Sequence, residues 1–258
     1  MLRTWIHRIS ILIFLASAAV AAWYFLSVIS YEKETEKLWK MAYHVEDTGK
    51  TVSRTESQAT EEGKEDNGFD LSPLTAMNPD CIGYISIEDT PLSYPVMQSE
   101  KADGLYYLDH DFEGNYHGNG TPFLDIRCDI RKPSDNLIVY AHNTRNTKMF
   151  SVLRFYKDRE FFEEHPIVRF DHAGGGGDYE IFAVLFGSVN EEDNRKLFTY
   201  IEKDPDDPAY WEGFLTYITD RRLYDTGIIP GPEDEILMLS TCYRQIEEGR
   251  ALVFARKK

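Results

Sequence analysis

The sequence is poor in basic residues and in cysteine, and each shortage excludes a class of protein. Its 258 residues include 28 Lys and Arg against 44 Asp and Glu, which gives a formal net charge of −16. Nucleic-acid phosphates are held by clustered cations, so this charge argues against nucleic acid as a partner. The three cysteines are an odd number, so at least one thiol is free and a complete disulfide framework is excluded.

Charged side chains are also missing from one long stretch near the N-terminus. Residues 9–29 are 21 consecutive uncharged, mostly apolar residues. As a helix they would span roughly 30 Å, the thickness of a bilayer core. Because Arg3 and Arg8 precede them, the positive-inside rule predicts a cytoplasmic segment 1–8, a transmembrane helix and an exported remainder. A signal peptide cleaved near Ala18 is the alternative, although the apolar run is longer than a signal core.

After this run, residues 30–73 are predicted to form an extracellular helix and a flexible spacer. Positions 31–47 carry an apolar stripe at helical spacing, formed by Leu38, Met41, Ala42 and Val45. Positions 48–68 have no aromatic residue and almost nothing to bury, which is typical of a flexible segment or a surface loop. A lid over a catalytic site is a further role open to this spacer.

Residues 74–258 have the pattern of a mainly β domain. Short apolar or β-branched runs alternate with turn residues, and the run Gly174–Gly177 is interpreted as a flexible hairpin loop. Two helices are predicted, at 148–156 and after Asp207, where Pro208 suits the first helical position. The predicted fold is therefore a mainly β barrel with helical insertions. The predicted strands are 82–87, 94–97, 121–126, 136–142, 167–170, 179–189, 235–242 and 250–256.

Three chemically capable side chains lie at the ends of predicted strands. His142 closes one strand, Cys242 closes another, and Arg250 opens the next strand after a seven-residue connection. If these last two strands pair as a hairpin, Cys242 and Arg250 face each other. A thiolate, an imidazole and a guanidinium together suit acyl transfer, as nucleophile, proton carrier and oxyanion stabiliser. Taken singly, such residues are more often a buried thiol, a surface histidine and a solvated arginine.

Four stretches of this domain resemble class B sortases, and they occur in the same order as in those enzymes. LSTC at 239–242, with Arg250 eight residues later, is similar to the sortase signature Thr-Leu-x-Thr-Cys followed by Arg. Met238 stands where the signature has its first Thr. The other matching stretches are IVYAHNTRNTKMFSVLRFY at 138–156, NPDCIGYISIEDTPLSYPVMQ at 78–98 and YYLDHDFEGNYHGNGTPFLDIRCD at 106–129.

The resemblance implies a sortase-type closed β-barrel with N-terminal helices, tethered by a single pass outside a Gram-positive membrane. It implies that Cys242 is the nucleophile, His142 the proton-transfer partner and Arg250 the oxyanion stabiliser. Ser240 matches a position that helps to bind the sorting peptide, and Thr241 is the adjacent signature residue. The enzyme would cleave a sorting motif after Thr through a thioester and transfer the surface protein to a peptidoglycan or pilin amine. Neither a metal nor another cofactor is implied.

Two further groups of side chains have alternative interpretations. Cys81 and Cys128 are candidates for an extracellular disulfide, but two unpaired core thiols are favoured. Carboxylates and imidazoles in one Gly- and Asn-rich segment suit zinc or manganese, but a solvated loop is favoured there. The candidate ligands of that segment are Asp109, His110, Asp111 and His117.

Functions other than peptidyl transfer are also open. A β-barrel on a membrane stalk would serve as a binding module without catalysis, and Cys242→Ala would then leave its function intact. A thiol peptidase would share the three residues but would not respond to an added amine acceptor. Among sortases, a pilus-polymerising enzyme is the alternative to one that anchors proteins to the cell wall.

Overall fold

The N-terminal helix is longer than the sequence predicts. The computed structural model describes residues 2–44, 68–132, 134–145, 147–204 and 206–258. Helix α1 runs without a break over Leu2–Ala42, which joins the predicted anchor to the predicted amphipathic helix. Among the residues that the structure describes, no helix combines the length and the apolar character needed to span a bilayer. The transmembrane helix expected over 9–29 stays a prediction. Val45 and nearly all of the predicted spacer lie outside the described residues.

A closed barrel of eight strands forms the centre of the described residues, as the sequence predicts. The strands are β1 (Cys81–Ser86), β2 (Ser93–Met97), β3 (Phe123–Leu124), β4 (Asn136–Tyr140), β5 (Ile167–His172), β6 (Gly175–Ser188), β7 (Ile236–Cys242) and β8 (Gly249–Lys257). They hydrogen-bond in the order β1-β2-β3-β4-β7-β8-β6-β5, and β5 pairs with β1 to close the barrel. The pairs β2–β3 and β4–β7 are parallel, and the other pairs are antiparallel.

Strands β4 and β7 lie side by side and are covered on both faces. Their sequences, NLIVY and ILMLSTC, are nearly continuous apolar runs without alternation, as expected of strands buried on both sides. Leu137, Ile138 and Val139 of β4 are completely buried, and so is the segment from Ile236 to Leu239. Cys242 is the last residue of β7, and His142 follows the end of β4 by two residues.

Short helices cover the outside of the barrel. They are α2 (Ser72–Met77), α3 (Arg159–Glu164), α4 (Glu192–Lys196), α5 (Pro208–Arg221) and 3-10 helices at Lys101–Gly104, Tyr106–Leu108, Phe150–Lys157 and Leu197–Thr199. The predicted start of α5 after Asp207 is confirmed, and its apolar stripe is buried. The helix predicted at 148–156 is instead a 3-10 helix. Its completely buried apolar residues Phe150, Leu153 and Tyr156 are spaced by three, which matches three residues per turn.

The run Gly174–Gly177 lies at a hairpin, as predicted, but the loop is shorter than the prediction. The hairpin turn is limited to Ala173 and Gly174, and the next three glycines belong to β6 and pair with β5. Gly176 has φ +87°, and a Cβ atom there would lie 2.3 Å from the carbonyl oxygen of Phe170. Glycine is therefore needed at this position for close backbone contact within a strand.

The C-terminal end of α1 is fastened to the barrel. Leu38 and Ala42 are buried, as predicted for the apolar stripe. The Tyr43 hydroxyl donates a 2.7 Å hydrogen bond to a carboxylate oxygen of Asp171 on β5. The Arg169 guanidinium donates to both oxygens of the same carboxylate, at 2.8 and 3.0 Å. The buried carboxylate of Asp171 is thus compensated by a cation and a hydroxyl.

Candidate active site

Cys242 and Arg250 are partners in the antiparallel pairing of β7 with β8. The six residues of β7 that precede Cys242 are buried, whereas Cys242, the last residue of the strand, is exposed. Arg250 is half-buried, and its Nη1 donates a 3.1 Å hydrogen bond to the carbonyl oxygen of Gly249. The predicted hairpin geometry is confirmed, and it places a cation beside an accessible thiol.

The connection between β7 and β8 is tightly closed. The Tyr243 amide donates to the Gly249 carbonyl at 2.8 Å, and the Gly249 amide donates to the Ile246 carbonyl at 3.0 Å. A Cβ atom at Gly249 would lie 2.4 Å from the Tyr243 carbonyl oxygen, so the turn requires glycine there. The Tyr243 ring packs against Phe186, with ring centroids 4.5 Å apart. These contacts fix the separation of the strand ends that carry Cys242 and Arg250.

His142 reaches the same end of the barrel through the parallel pair β4–β7. Tyr140 is the partner of Ser240, and the Ala141 amide donates the last backbone bond of this pair to the Ser240 carbonyl, at 3.3 Å. His142 lies two residues beyond Tyr140, and Cys242 lies two residues beyond Ser240, so both residues follow this parallel pair at the same end. All three side chains predicted to act together are therefore at one end of three adjacent strands.

The orientation of the His142 ring is set by a backbone carbonyl. Its Nε2 lies 2.8 Å from the carbonyl oxygen of Leu108, in a 3-10 helix before β3. A carbonyl oxygen only accepts, so Nε2 carries the proton, and Nδ1 is the acceptor when the ring is neutral. The His142 carbonyl accepts a hydrogen bond from the Phe150 amide at 3.1 Å. Both the ring and the backbone of His142 are thus held in place.

The loop that follows His142 is organised by a buried polar network. The Thr144 hydroxyl donates to the Lys148 carbonyl at 2.9 Å, and the Ser151 hydroxyl donates to the Thr144 carbonyl at 2.9 Å. The Thr144 amide in turn donates to the Ser151 hydroxyl at 2.7 Å. An isolated β-bridge joins Asn143 to Met149 at the neck of the loop. Satisfied buried networks of this kind hold a segment in one conformation.

Ser240 and Thr241, the predicted substrate-binding residues, are each only 2% exposed. Ser240 lies two residues before Cys242, so the two side chains share one face of β7. The Thr241 hydroxyl donates a 2.7 Å hydrogen bond to the carbonyl oxygen of Ala141. Contact of either side chain with a sorting peptide stays a prediction.

The other two cysteines differ from Cys242 in their surroundings. Cys81 and Cys128 are both free and buried, so they do not form the disulfide considered from the sequence. Burial raises the pKa of each thiol to about 12. Because a thiolate is the nucleophilic form, neither buried thiol is a competitor of the exposed Cys242.

The loop considered as a metal site is organised by local contacts. Among the described residues no group of three or more His, Cys, Asp or Glu side chains has the arrangement of a metal site. His110 Nδ1 lies 2.8 Å from the Asp109 carboxylate, and the His110 ring stacks on Tyr106 with centroids 3.9 Å apart.

Two contacts of the site were not predicted from the sequence. The Asn143 side-chain amide donates a 2.9 Å hydrogen bond to the Cys242 carbonyl, and the Leu108 carbonyl holds the His142 ring. Both contacts join segments far apart in sequence, and one partner in each is a backbone atom. The sequence shows that Asn143 follows His142. That Asn143 bonds to the Cys242 carbonyl became evident only from the pairing of β4 with β7.

Known proteins similar to this chain are class B sortases. No protein-family model matches the chain. Sortase B of Listeria monocytogenes is 30% identical over 186 residues, which are 71% of this chain and 72% of that protein. The structure of Clostridium perfringens sortase B is 27% identical with a TM-score of 0.65, and covers 72% of this chain and 98% of that chain. A Staphylococcus aureus sortase B–substrate complex is 26% identical with a TM-score of 0.64, and covers 72% of this chain and 84% of that chain. With this similarity in sequence and in fold, the chain belongs to the sortase B family of cysteine transpeptidases.

Proposed function

We propose that Cys242 is the nucleophile of a transpeptidase that cleaves a C-terminal sorting motif after Thr. The observation that carries this proposal is the pairing of Cys242, the last residue of β7, with Arg250, near the start of β8. Of the three cysteines in the sequence, only Cys242 is exposed. Accessibility and a neighbouring cation are what a nucleophilic thiolate needs, whereas buried thiols are inert.

In the first half-reaction the Cys242 thiolate attacks the carbonyl carbon of the motif's Thr. The carbon–nitrogen bond to the next residue breaks, and the departing amine takes a proton from His142, which leaves a thioester. Arg250 stabilises the negative charge that develops on the carbonyl oxygen, a role suited to a side chain that remains charged. The bond from Nε2 to Leu108 leaves Nδ1 of His142 to exchange protons with the substrate.

In the second half-reaction an acceptor amine attacks the thioester. The amine gives its surplus proton to His142, a new amide bond forms, and the Cys242 thiolate leaves. Both partners are thereby returned to their starting protonation states. The acceptor is proposed to be an amine of peptidoglycan, of its precursor or of a pilin, and no metal or other cofactor enters these steps.

The peptide is proposed to bind along the end of β7. Ser240 lies on the same face of the strand as Cys242, so a sorting peptide in contact with the thiol also approaches this hydroxyl. Thr241 is kept as a second candidate contact. The solved Staphylococcus aureus sortase B–substrate complex supports the proposal that this family member acts on a comparable sorting-motif substrate.

Transfer is distinguished from hydrolysis by the response to an amine acceptor. The full chain would be incubated with a panel of sorting-motif peptides, with increasing concentrations of a triglycine acceptor. Faster peptide consumption together with a ligated product supports transpeptidation. Peptide consumption that is unchanged by the acceptor supports the alternative, a thiol peptidase. Turnover that survives in Cys242→Ala, or binding of the peptides without turnover, contradicts the proposed nucleophile.

The proposed location is the outer face of the cell membrane, with residues 1–8 in the cytoplasm and 9–29 in the lipid. This proposal rests on the uncharged run in the sequence and on the basic residues before it. Protease added to intact cells should degrade a C-terminal epitope tag and spare an N-terminal one. Protection of both tags, or recovery of the chain in the soluble fraction, contradicts the proposed topology.

A further inference from the structure

Backbone hydrogen bonds between β4 and β7 end near the candidate catalytic residues. Beyond that point, side-chain hydrogen bonds connect the two chain segments. The last backbone bond, from the Ala141 amide to the Ser240 carbonyl, is 3.3 Å long. Beyond it, the Thr241 hydroxyl donates to the Ala141 carbonyl at 2.7 Å. Asn143 Nδ2 then donates to the Cys242 carbonyl at 2.9 Å. The two side-chain bonds run in opposite directions between the same two chain ends.

We propose that Asn143 is a positioning residue that sets the separation of His142 and Cys242. Asn143 follows His142 directly, and its side-chain amide ends on the carbonyl of Cys242 itself. One peptide unit and one side chain therefore link the two reacting groups by a path independent of the barrel strands. The Thr241 bond secures the same two chain ends one residue earlier, so the gap between them is held on both sides.

Asn143 is itself held firmly enough to serve as a fixed point. Its backbone forms the isolated bridge with Met149 at the neck of the loop. The next residue, Thr144, is buried and bonded to Lys148 and Ser151. Because the donor is fixed in this way, its hydrogen bond restrains Cys242 instead of following the movement of Cys242. Asparagine also suits the role chemically, since its amide is a neutral donor at any working pH.

The predicted consequence is a loss of rate at nearly constant substrate affinity. Asn143 is not proposed to touch the peptide, so its removal should leave KM almost unchanged. A shift of the thiol relative to the imidazole by about an ångström lowers the rate by up to about 100-fold. A purely structural role predicts a different result, namely a lower unfolding midpoint with normal kcat in the fraction that remains folded.

Two variants of Asn143 separate these roles. Asn143→Ala removes the donor. Asn143→Asp keeps the size, but its carboxylate only accepts and therefore faces the Cys242 carbonyl without a bond. Protonation of that carboxyl group restores a donor, and carboxyl groups of Asp titrate near pH 3.9. The ratio of Asn143→Asp to wild-type kcat should therefore rise as the pH is lowered from 7.5 towards 5, whereas the ratio for Asn143→Ala should stay flat.

The experiment measures kcat and KM of the full chain with a peptide that wild type cleaves, and it measures the thermal unfolding midpoint of each variant. The kinetic assays are run at a temperature well below the lowest of these midpoints. Asn190→Asp, an exposed substitution of the same charge, is the control and should retain wild-type kcat. The expected result is a kcat lower by about 10- to 100-fold in both Asn143 variants, with KM within about twofold of wild type. Asn143→Ala with a kcat within about twofold of wild type overturns the positioning role, as does a flat pH ratio for Asn143→Asp.

This inference rests on the proposed role of Cys242, and Cys242→Ala is measured beside the other variants to keep the two apart. Full loss in Cys242→Ala with normal kcat in Asn143→Ala rejects only the positioning role. Turnover that survives in Cys242→Ala rejects the proposed nucleophile, whatever the Asn143 variants do.

Discussion

Cys242 and Arg250 lie directly opposite each other at the end of β7 and β8. The turn that joins them is closed by hydrogen bonds between Tyr243, Ile246 and Gly249, so the pairing does not depend on a bound substrate. An arginine that is already paired with the thiol-bearing residue before the reaction begins needs little rearrangement as charge develops on the substrate. Catalysis should therefore be sensitive to the shape of this side chain as well as to its charge.

Two replacements of Arg250 should lower kcat by different amounts. Arg250→Ala removes the proposed oxyanion stabiliser, and the loss of such a donor lowers kcat by about 100- to 1,000-fold. Arg250→Lys restores a positive charge without the planar fork, so it should recover only part of this loss. Arg244→Ala, an exposed cation in the same turn, is the matched control and should change kcat little. Equal rates for Arg250→Lys and wild type would show that charge alone is sufficient.

Thiol labelling should distinguish Cys242 from the other two cysteines. Cys81 and Cys128 are 2% and 4% exposed, and burial raises the pKa of each to about 12. Both therefore stay uncharged and inaccessible in the native protein at neutral pH. Iodoacetamide should modify one thiol per native chain, none in native Cys242→Ala, and all three thiols of the wild type in urea. Rapid modification of a second thiol in the native protein would contradict the buried placement.

Loss of the Thr241 hydroxyl should destabilise the fold. Thr241→Val keeps the shape of the side chain but leaves the Ala141 carbonyl, in a residue that is 8% exposed, without this donor. An unsatisfied buried acceptor costs about 1–3 kcal/mol. Thr199→Val is the matched control, because the Thr199 hydroxyl donates to the Lys196 carbonyl at an exposed position where water can replace it. Urea unfolding measures both variants, and equal midpoints would refute the prediction.

The barrel should lose stability in mild acid because of His172. Burial, with a smaller contribution from the Lys257 charge, lowers the pKa of His172 from 6.5 to about 4. Between these values the unfolded chain binds more protons than the native chain, so the free energy of unfolding falls as the pH falls from 6.5 to 4. The pKa shift corresponds to a loss of about 3 kcal/mol in the free energy of unfolding across this pH range. His172→Gln should flatten this part of the curve, measured by urea unfolding at each pH, and an unchanged slope would contradict the assignment to His172.

Much of the barrel could be predicted from the sequence because its strands are short apolar runs bounded by turn residues. All eight predicted runs overlap observed strands, and the stripe of α5 is buried as expected. Gly174–Gly177 was misinterpreted because glycine is common both in turns and at close backbone contacts. Only the positions of neighbouring strands reveal that Gly176 lies against Phe170.

The candidate site was predictable where its residues are close in sequence. Cys242 and Arg250 are joined by one short connection, so a hairpin was the simple expectation and the pairing is confirmed. His142 is brought to the same end of the barrel by a parallel pairing that no local pattern indicates, and its grouping with Cys242 was implied by the family resemblance. Asn143 bonds to the Cys242 carbonyl and the His142 ring to the Leu108 carbonyl, and each carbonyl belongs to a segment distant in sequence. Every residue has a backbone carbonyl, so no sequence pattern identifies these two as partners.

Covalent capture of a sorting peptide on Cys242 is the most direct test of its proposed role. The full chain would be mixed with each peptide of the panel, quenched in acid within the first turnover, and examined by intact-mass spectrometry and peptide mapping. The expected result is an added mass equal to the peptide fragment ending in Thr, located on Cys242, removed by hydroxylamine and missing from Cys242→Ala. An adduct of the same mass in Cys242→Ala, or cleavage after Thr with that variant at the wild-type rate, would contradict the proposal.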